Sequence, residues 1–332
     1  MGDDLRAVGS GSGKLILFGE HSAVHGHPAI GVSLPERTRV ELLGPAAIEW
    51  DLGPVEPGDR DAVFRSLREL QDLLPEIRGR RRRVRISSRV VRGVGLGSSA
   101  ALCVALAGAA LDAVRGKFQA EEVWALAHSL ERRFHGTPSG IDTGLAVHPG
   151  VSAFTPVPGD SGASAGVLPR RRSICPPPVA LVVGAVPRSA DCGALVGRVA
   201  DRLRSGDRQV RQAIDSLGAI ASEACQVLDG SSDRAEGAAR TREAAARVGA
   251  LATSAMDHLR TLGLSDAVQD RLIRAGLRVG ATGGKLSGAG AGGAFYLVFA
   301  DPVAARRGLR AVKDEAEWAG VTLASALRVI TL

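Results

Sequence analysis

Residues 93–101 read Gly-Val-Gly-Leu-Gly-Ser-Ser-Ala-Ala, and the apolar run Ala100–Leu111 follows directly. That run is Pro-free and rich in Ala and Leu, the strongest helix formers. Three alternating glycines therefore open a helix, with Ser98 or Ser99 where an N-cap belongs. A helix mouth of this kind presents unpaired backbone N–H groups backed by the positive end of the helix dipole. Two readings follow from the segment alone: a phosphate cradle, or an ordinary glycine-rich helix entry capped by serine.

The flanking chain narrows the fold. At 332 residues it is long enough for two cores. Aromatic residues make up only 3 % and glycine numbers 42, so those cores must be built mostly from Ala, Val and Leu. Residues 1–12 are expected to be a flexible leader, and Leu15–Phe18 a buried strand. A turn-rich segment spans 25–31, and Arg37–Leu43 alternates as a strand should. Residues 44–60 read as loop. Asp61–Leu74 places Val63, Leu67, Leu70 and Leu74 on one helical face. A short strand at Val84–Ile86, a helix ended by Gly116, a helix at Ala120–Phe134 and an irregular turn at His135–Asp142 complete the first half. The Pro/Gly/Ser/Arg-rich stretch 155–178 marks a boundary, so one domain is expected at 1–175 and a second at 176–332.

In the second half, Val179–Val186 is an apolar strand. Helical patterns follow at about 191–204, 208–228, 238–262 and 266–277. A second glycine-rich loop, Ala281–Gly293, precedes a strand at Ala294–Ala300, a helix at Val303–Ala319 and a last strand at Ala326–Leu332. Strands separated by helices, with few hairpins, make this half α+β.

The formal charge of +7 raises the question of a polyanionic partner. Much of the excess sits in clusters such as Arg78–Arg85, which lack interleaved aromatics. A solvated surface turn is expected there, not a nucleic-acid interface. Cys103, Cys175, Cys192 and Cys225 have no CxxC or metal spacing, and Cys103 falls on the apolar helix as core. With a polar N-terminus and no apolar stretch of about 18 residues, neither an export signal nor a membrane span is expected. Free thiols then point to a cytoplasmic setting. Gly11-Ser-Gly-Lys14 imitates a Walker loop but has Leu15 where Ser or Thr must meet magnesium, and it precedes a strand instead of following one.

Chemistry-bearing residues bracket these elements. Lys14 stands before the first strand, Glu20 and His21 after it. Asp142 lies in a tight turn soon after Glu131 in its helix. A lone Asp in such a turn is commonly a backbone acceptor; two carboxylates on one helix–turn unit suit a metal ligand and a base. The alternatives are a strand-edge surface role for Lys14, a solvated one for Glu131, plain capping for Ser99, and structural histidines at 21 and 25.

Taken together, Gly13–Gly26, Gly93–Ala101 and Lys285–Gly293 resemble the three signature motifs of the GHMP small-molecule kinases. Gly-Lys-Leu-Ile-Leu-Phe-Gly-Glu-His-Ser-Ala-Val-His-Gly at 13–26, His-Gly-Thr-Pro-Ser-Gly-Ile-Asp at 135–142 and Val186-Pro-Arg-Ser189 are similar to the branch of that family that phosphorylates mevalonate. The resemblance implies a two-domain α+β fold. Its N-terminal α/β domain would be ribosomal-protein-S5-domain-2-like and its C-terminal domain ferredoxin-like, with the site in the cleft. It implies phosphoryl transfer from ATP, with Mg²⁺, to the 5-hydroxyl of (R)-mevalonate in the route to isoprenoids. Asp142 would be the base and Lys14 its cationic partner. Ser99 and Glu131 would hold Mg²⁺, and Glu20, His21 and Ser189 would line the substrate. Gly93, Val94, Gly95, Leu96, Gly97, Ser98, Ser99 and Ala100 would wrap the ATP phosphates, with Gly288 and Gly290 closing the site. It implies small-molecule partners, neither nucleic acid nor membrane, and is compatible with a homodimer.

Departures from the family pattern spare every catalytic side chain. Ser12 and Val91 stand where prolines are usual, and Ala291 interrupts the last glycine run. Ala190-Asp-Cys-Gly-Ala194 replaces a short threonine-containing link, so a substrate-contacting threonine has no counterpart.

Overall fold

The computed structural model describes residues 6–44, 46, 48–52, 57–135, 138–157, 167–190, 192–229, 237–324 and 326–332. The first half forms a six-stranded sheet from β1 (Ala7–Phe18), β2 (Ala29–Leu43), β3 (Trp50–Leu52), β4 (Arg82–Ser88), β5 (Val151–Thr155) and β6 (Arg170–Ile174). The path is β3-β4-β2-β5-β6, and β1 pairs antiparallel with the long β2. Helices α1 (Pro57–Leu73), α2 (Ser98–Arg115), α3 (Ala120–His135) and the short α4 (Ile141–Val147) accompany it.

The second half is a four-stranded antiparallel sheet in the order β10-β7-β9-β8. Its strands are β7 (Ala180–Val186), β8 (Gly283–Leu286), β9 (Gly293–Phe299) and β10 (Arg328–Thr331). Five helices flank it among the described residues: α5 (Cys192–Arg204), α6 (Arg208–Leu228), α7 (Ala238–Thr261), α8 (Ala267–Arg278) and α9 (Pro302–Trp318). Asp207, Asp266 and Asp301 each accept from two backbone N–H groups at the starts of α6, α8 and α9, which is why these helices begin there. The first sheet ends at Ile174 and the second begins at Ala180, either side of the proline-rich link.

Several expectations need correction. The supposed flexible leader is, from Ala7 onward, strand β1. Its Gly-Ser alternation is a packing device: a Cβ at Gly9 would lie 1.9 Å from the Ala105 carbonyl oxygen, and one at Gly11 2.2 Å from that of Ala101. The backbone of α2 therefore rests directly on the strand. Gly11→Val should cost about 3 kcal/mol or more, since the obstacle is backbone that cannot repack; chemical denaturation read against the parent checks it.

α2 itself is long and apolar enough to cross a membrane by length and composition, contrary to expectation. It is instead the core helix of the first half, with Ala100, Ala101 and the whole run Cys103–Leu111 buried. Its N-cap is Gly97 in the left-handed region, not a serine, and Ser98 is already helical.

The loop 44–60 contains β3, and the boundary stretch contains β6, both short strands with weak sequence patterns. Arg82–Arg85 belong to β4, not to a turn. Arg82 is buried, while Arg83 pairs with Asp51 at 3.3 Å and Arg85 with Glu41 at 3.2 Å. The second glycine-rich loop shrinks to 287–292, because residues 283–286 form β8.

One apolar core runs through both halves, joining Leu15, Leu17, Phe18 and Ile30 to Val183, Phe295 and Leu297. Phe18 meets Tyr296 edge-on, with ring centroids 6.5 Å apart. The end of β1 is thereby held against the β8–β9 hairpin.

Candidate active site

Lys14 lies mid-strand in β1 with its side chain only 6 % exposed. Its backbone N–H donates to the Leu96 carbonyl at 2.9 Å, tying the strand to the glycine loop before α2. Its Nζ stands 2.9 Å from Asp142 Oδ2. Asp142 sits in the first turn of α4, beyond the turn and not on it. Gly140 caps that helix in the left-handed conformation. Gly136 and Thr137 of the expected catalytic turn lie outside the described residues. At 39 % exposure, the Asp142 side chain is open to solvent.

Glu131 completes the group from α3. It is buried, and its carboxyl is hydrogen-bonded to Thr143. Burial and the neighbouring Asp142 charge push its pKa up to about 8, against the opposing pull of Lys14 and Thr143. Among the described residues, no cluster of three or more His, Cys, Asp or Glu is placed to hold a metal ion. Hard oxygen donors at Glu131 and Ser99 nonetheless fit Mg²⁺, which takes one or two carboxylates and completes its shell with phosphates and water.

Loop 93–97 shows why glycine alternates there. Gly93, Gly95 and Gly97 all have left-handed φ, at +72°, +82° and +80°. A Cβ on Gly97 would also lie 2.5 Å from Lys14 Cγ. Val94 and Leu96 turn their side chains into the core, so any ligand contact they make is through backbone. Open space faces Gly93, and the start of α2 at Ser98–Ala100 closes the cradle.

Arg188 was not singled out from sequence, yet its guanidinium fills the gap between both glycine loops. The Cβ position of Gly95 is 2.3 Å from its Nη2, and that of Gly293 is 2.7 Å from its Nε. The signal was present as an arginine two residues past the end of β7, within the quoted Val186–Ser189 segment.

Ser189 is occupied by the third motif, its N–H and Oγ donating to the Ala291 carbonyl at 2.9 and 3.3 Å. Ala291 itself has φ +51°; the residue that breaks the glycine run is held where glycine is favoured. Gly290 packs against Leu264, whose carbonyl oxygen would lie 2.4 Å from a Cβ there, while Gly288 faces Arg188.

Glu20 and His21, expected to line the substrate, are both buried and both have partners in the second half of the chain. Glu20 is 2 % exposed and ion-paired with the fully buried Lys285. His21 is buried with φ +60°, and burial lowers its pKa to about 4. It is therefore neutral near pH 7, and Nε2–H donates to the Ala289 carbonyl at 3.2 Å. Both side chains join the first motif to the third.

Comparison with known proteins adds three findings. Residues 61–150 match the GHMP kinases N terminal domain and residues 237–317 the GHMP kinases C terminal domain. The mevalonate kinase of Pyrococcus furiosus is 28 % identical over 315 residues, spanning 88 % of this chain and 89 % of its own. That of Archaeoglobus fulgidus is 28 % identical over 303 residues, spanning 88 % and 92 %. The crystal structure of L. major mevalonate kinase in complex with R-mevalonate superposes with a TM-score of 0.77 at 25 % identity, covering 98 % of this chain and 94 % of that one. Streptococcus pneumoniae phosphomevalonate kinase, at 15 % identity and a TM-score of 0.72, shares the fold.

Proposed function

Because the chain belongs to the GHMP kinases, we propose that it phosphorylates the 5-hydroxyl of (R)-mevalonate with ATP, giving 5-phosphomevalonate and ADP. The observation that carries this reading is the Lys14 Nζ–Asp142 Oδ2 contact of 2.9 Å beside a loop to which Lys14 is itself backbone-bonded. An amine and a carboxylate stand at the mouth of a helix whose amides suit a triphosphate.

Phosphoryl transfer asks for positioning and charge neutralisation more than covalent help. The substrate oxygen attacks the γ-phosphorus, the bond to the β-bridging oxygen breaks, and ADP leaves. The alcohol proton passes to Asp142, late in the reaction because an alcohol is so weak an acid. Lys14 stands 2.9 Å from the Asp142 carboxylate and steadies the attacking oxygen. Amides of residues 93–100 and the Arg188 guanidinium face the transferring charge. Glu131 and Ser99 would hold Mg²⁺, which when bound neutralises phosphate charge. Free thiols at Cys103, Cys175 and Cys225 fit a cytoplasmic setting.

Purified protein incubated with ATP, Mg²⁺ and (R)-mevalonate should release ADP in step with 5-phosphomevalonate, read by coupled assay and ³¹P NMR. Phosphomevalonate, homoserine and galactose are the comparison alcohols. Preference for one of them by kcat/KM, or no ADP above background, would defeat the proposal.

The raised pKa of Glu131 has a direct consequence for stability. In the ligand-free protein the folded state keeps a proton that the unfolded chain releases at ordinary carboxylate pH. The associated stability is full below about pH 4.3 and is lost as pH rises through about 8. Glu131→Gln removes that slope. Thermal melts at pH 5.5, 7 and 8.5 should show the variant gaining on the parent as pH rises, while Mg²⁺-dependent turnover collapses; parallel curves would contradict the assignment.

A further inference from the structure

The mechanism leaves unused a buried polar joint between the halves. Lys285 of β8 is fully buried, and its ammonium donates to Glu20, to the Leu17 carbonyl at 3.2 Å and to the Leu286 carbonyl at 2.7 Å. It also lies over the rings of Phe18 and Tyr296, 5.8 and 5.4 Å from their centroids. Tyr296 Oη donates to the same Leu17 carbonyl at 2.7 Å, and Ser287 Oγ to that of Ile16 at 2.8 Å.

These acceptors are not arbitrary. The β1–β2 ladder shifts register between Ser12 and Lys14 and again between Ile16 and Phe18. Lys14 therefore sits between two irregularities, which leave the strand's local geometry under-determined by β2 alone. At the second irregularity, Leu17 drops out of the ladder, and its carbonyl is taken up by Lys285 and Tyr296. The β8–β9 hairpin thus supplies the partners that β2 does not.

Stability does not explain the choice of an ion pair here. Two charges withdrawn from water recover little, and apolar residues of similar volume commonly serve as well or better. Glu20 Oε2 is moreover buried without a hydrogen-bond partner, a further cost. What the pair supplies is direction. Lys285 is separated from the 287–292 loop by Leu286 alone, and Glu20 immediately precedes His21, which bonds that same loop at Ala289.

We propose that Glu20 and Lys285 are a positioning pair: they fix the irregular end of β1, and with it Lys14, relative to the third glycine loop. Neither touches the reacting atoms. This rests on the kinase reading above, and failure of the one is distinguishable from failure of the other. If the parent protein does not phosphorylate mevalonate, the reading fails before any variant is made.

The test uses the full-length protein and a double substitution that removes both charges at near-constant volume, Glu20→Gln with Lys285→Met, plus Glu20→Asp as a change that keeps both charges and moves the carboxylate by one methylene. Each is measured for thermal midpoint, ATP Kd and kcat, in the parent and in a Lys14→Met background. The expected result is a thermal midpoint and ATP Kd close to the parent's, with kcat lowered about thirtyfold, since misplacement of about 1 Å costs on the order of a hundredfold. In the Lys14→Met background the same changes should cost less than about threefold, because residues acting through one another are not additive. Parental kcat overturns the proposal. So does a loss that follows the folded fraction, or an equal loss in both backgrounds; either makes the pair merely structural.

Discussion

Asp142→Asn should lower kcat by about a thousandfold or more, the range that a positioned general base contributes, while ATP still binds. Asn keeps the shape of the side chain but cannot accept the alcohol proton. It also removes the negative charge facing Lys14 Nζ at 2.9 Å and one of the two influences that raise the Glu131 pKa. Steady-state kinetics and equilibrium ATP titration separate these outcomes: kcat falls and nucleotide affinity survives. Turnover within tenfold of the parent would remove Asp142 from the base role.

Lys14→Met should cost about a hundredfold or more in kcat/KM, by loss of charge stabilisation where the hydroxyl oxygen attacks. Met preserves the apolar stem that packs on Gly97, so the fold should hold. Two carboxylates, Asp142 and Glu131, are then left without their shared cation. Combining both substitutions should cost little beyond the worse single one, as for residues acting as a unit. Fully additive losses would mean that the two act independently.

Where the physical signal was local, the sequence was readable. Val63, Leu67, Leu70 and Leu74 repeat at helical spacing and all are buried in α1 or just past it. The long patterns of α6 and α9 behave the same way. Glycine at 93, 95 and 97 pointed to a helix mouth, and all three do adopt left-handed φ. The meeting of Lys14 with Asp142 came through the family resemblance, since no local rule links positions so far apart.

What stayed hidden depended on partners distant in the chain. Gly9 and Gly11 read as slack because the backbone they accommodate, at Ala101 and Ala105 of α2, is about ninety residues away. The partner of Glu20 was hidden in the same way, since Lys285 lies 265 residues further along the chain. The capping serine gave way to Gly97, since the chain must turn left-handed beside Lys14, where a side chain has no room. β3 and β6 are too short to carry a pattern, and their pairing with β4 and β5 makes them strands.

A crystal structure of the protein with (R)-mevalonate and a non-hydrolysable ATP analogue puts the central claim to the plainest test. The 5-hydroxyl oxygen should lie within about 3 Å of both Lys14 Nζ and an Asp142 carboxylate oxygen, in line with the γ-phosphorus, with the triphosphate on the amides of residues 93–100. A hydroxyl bound away from that pair, or a triphosphate seated elsewhere, would contradict it.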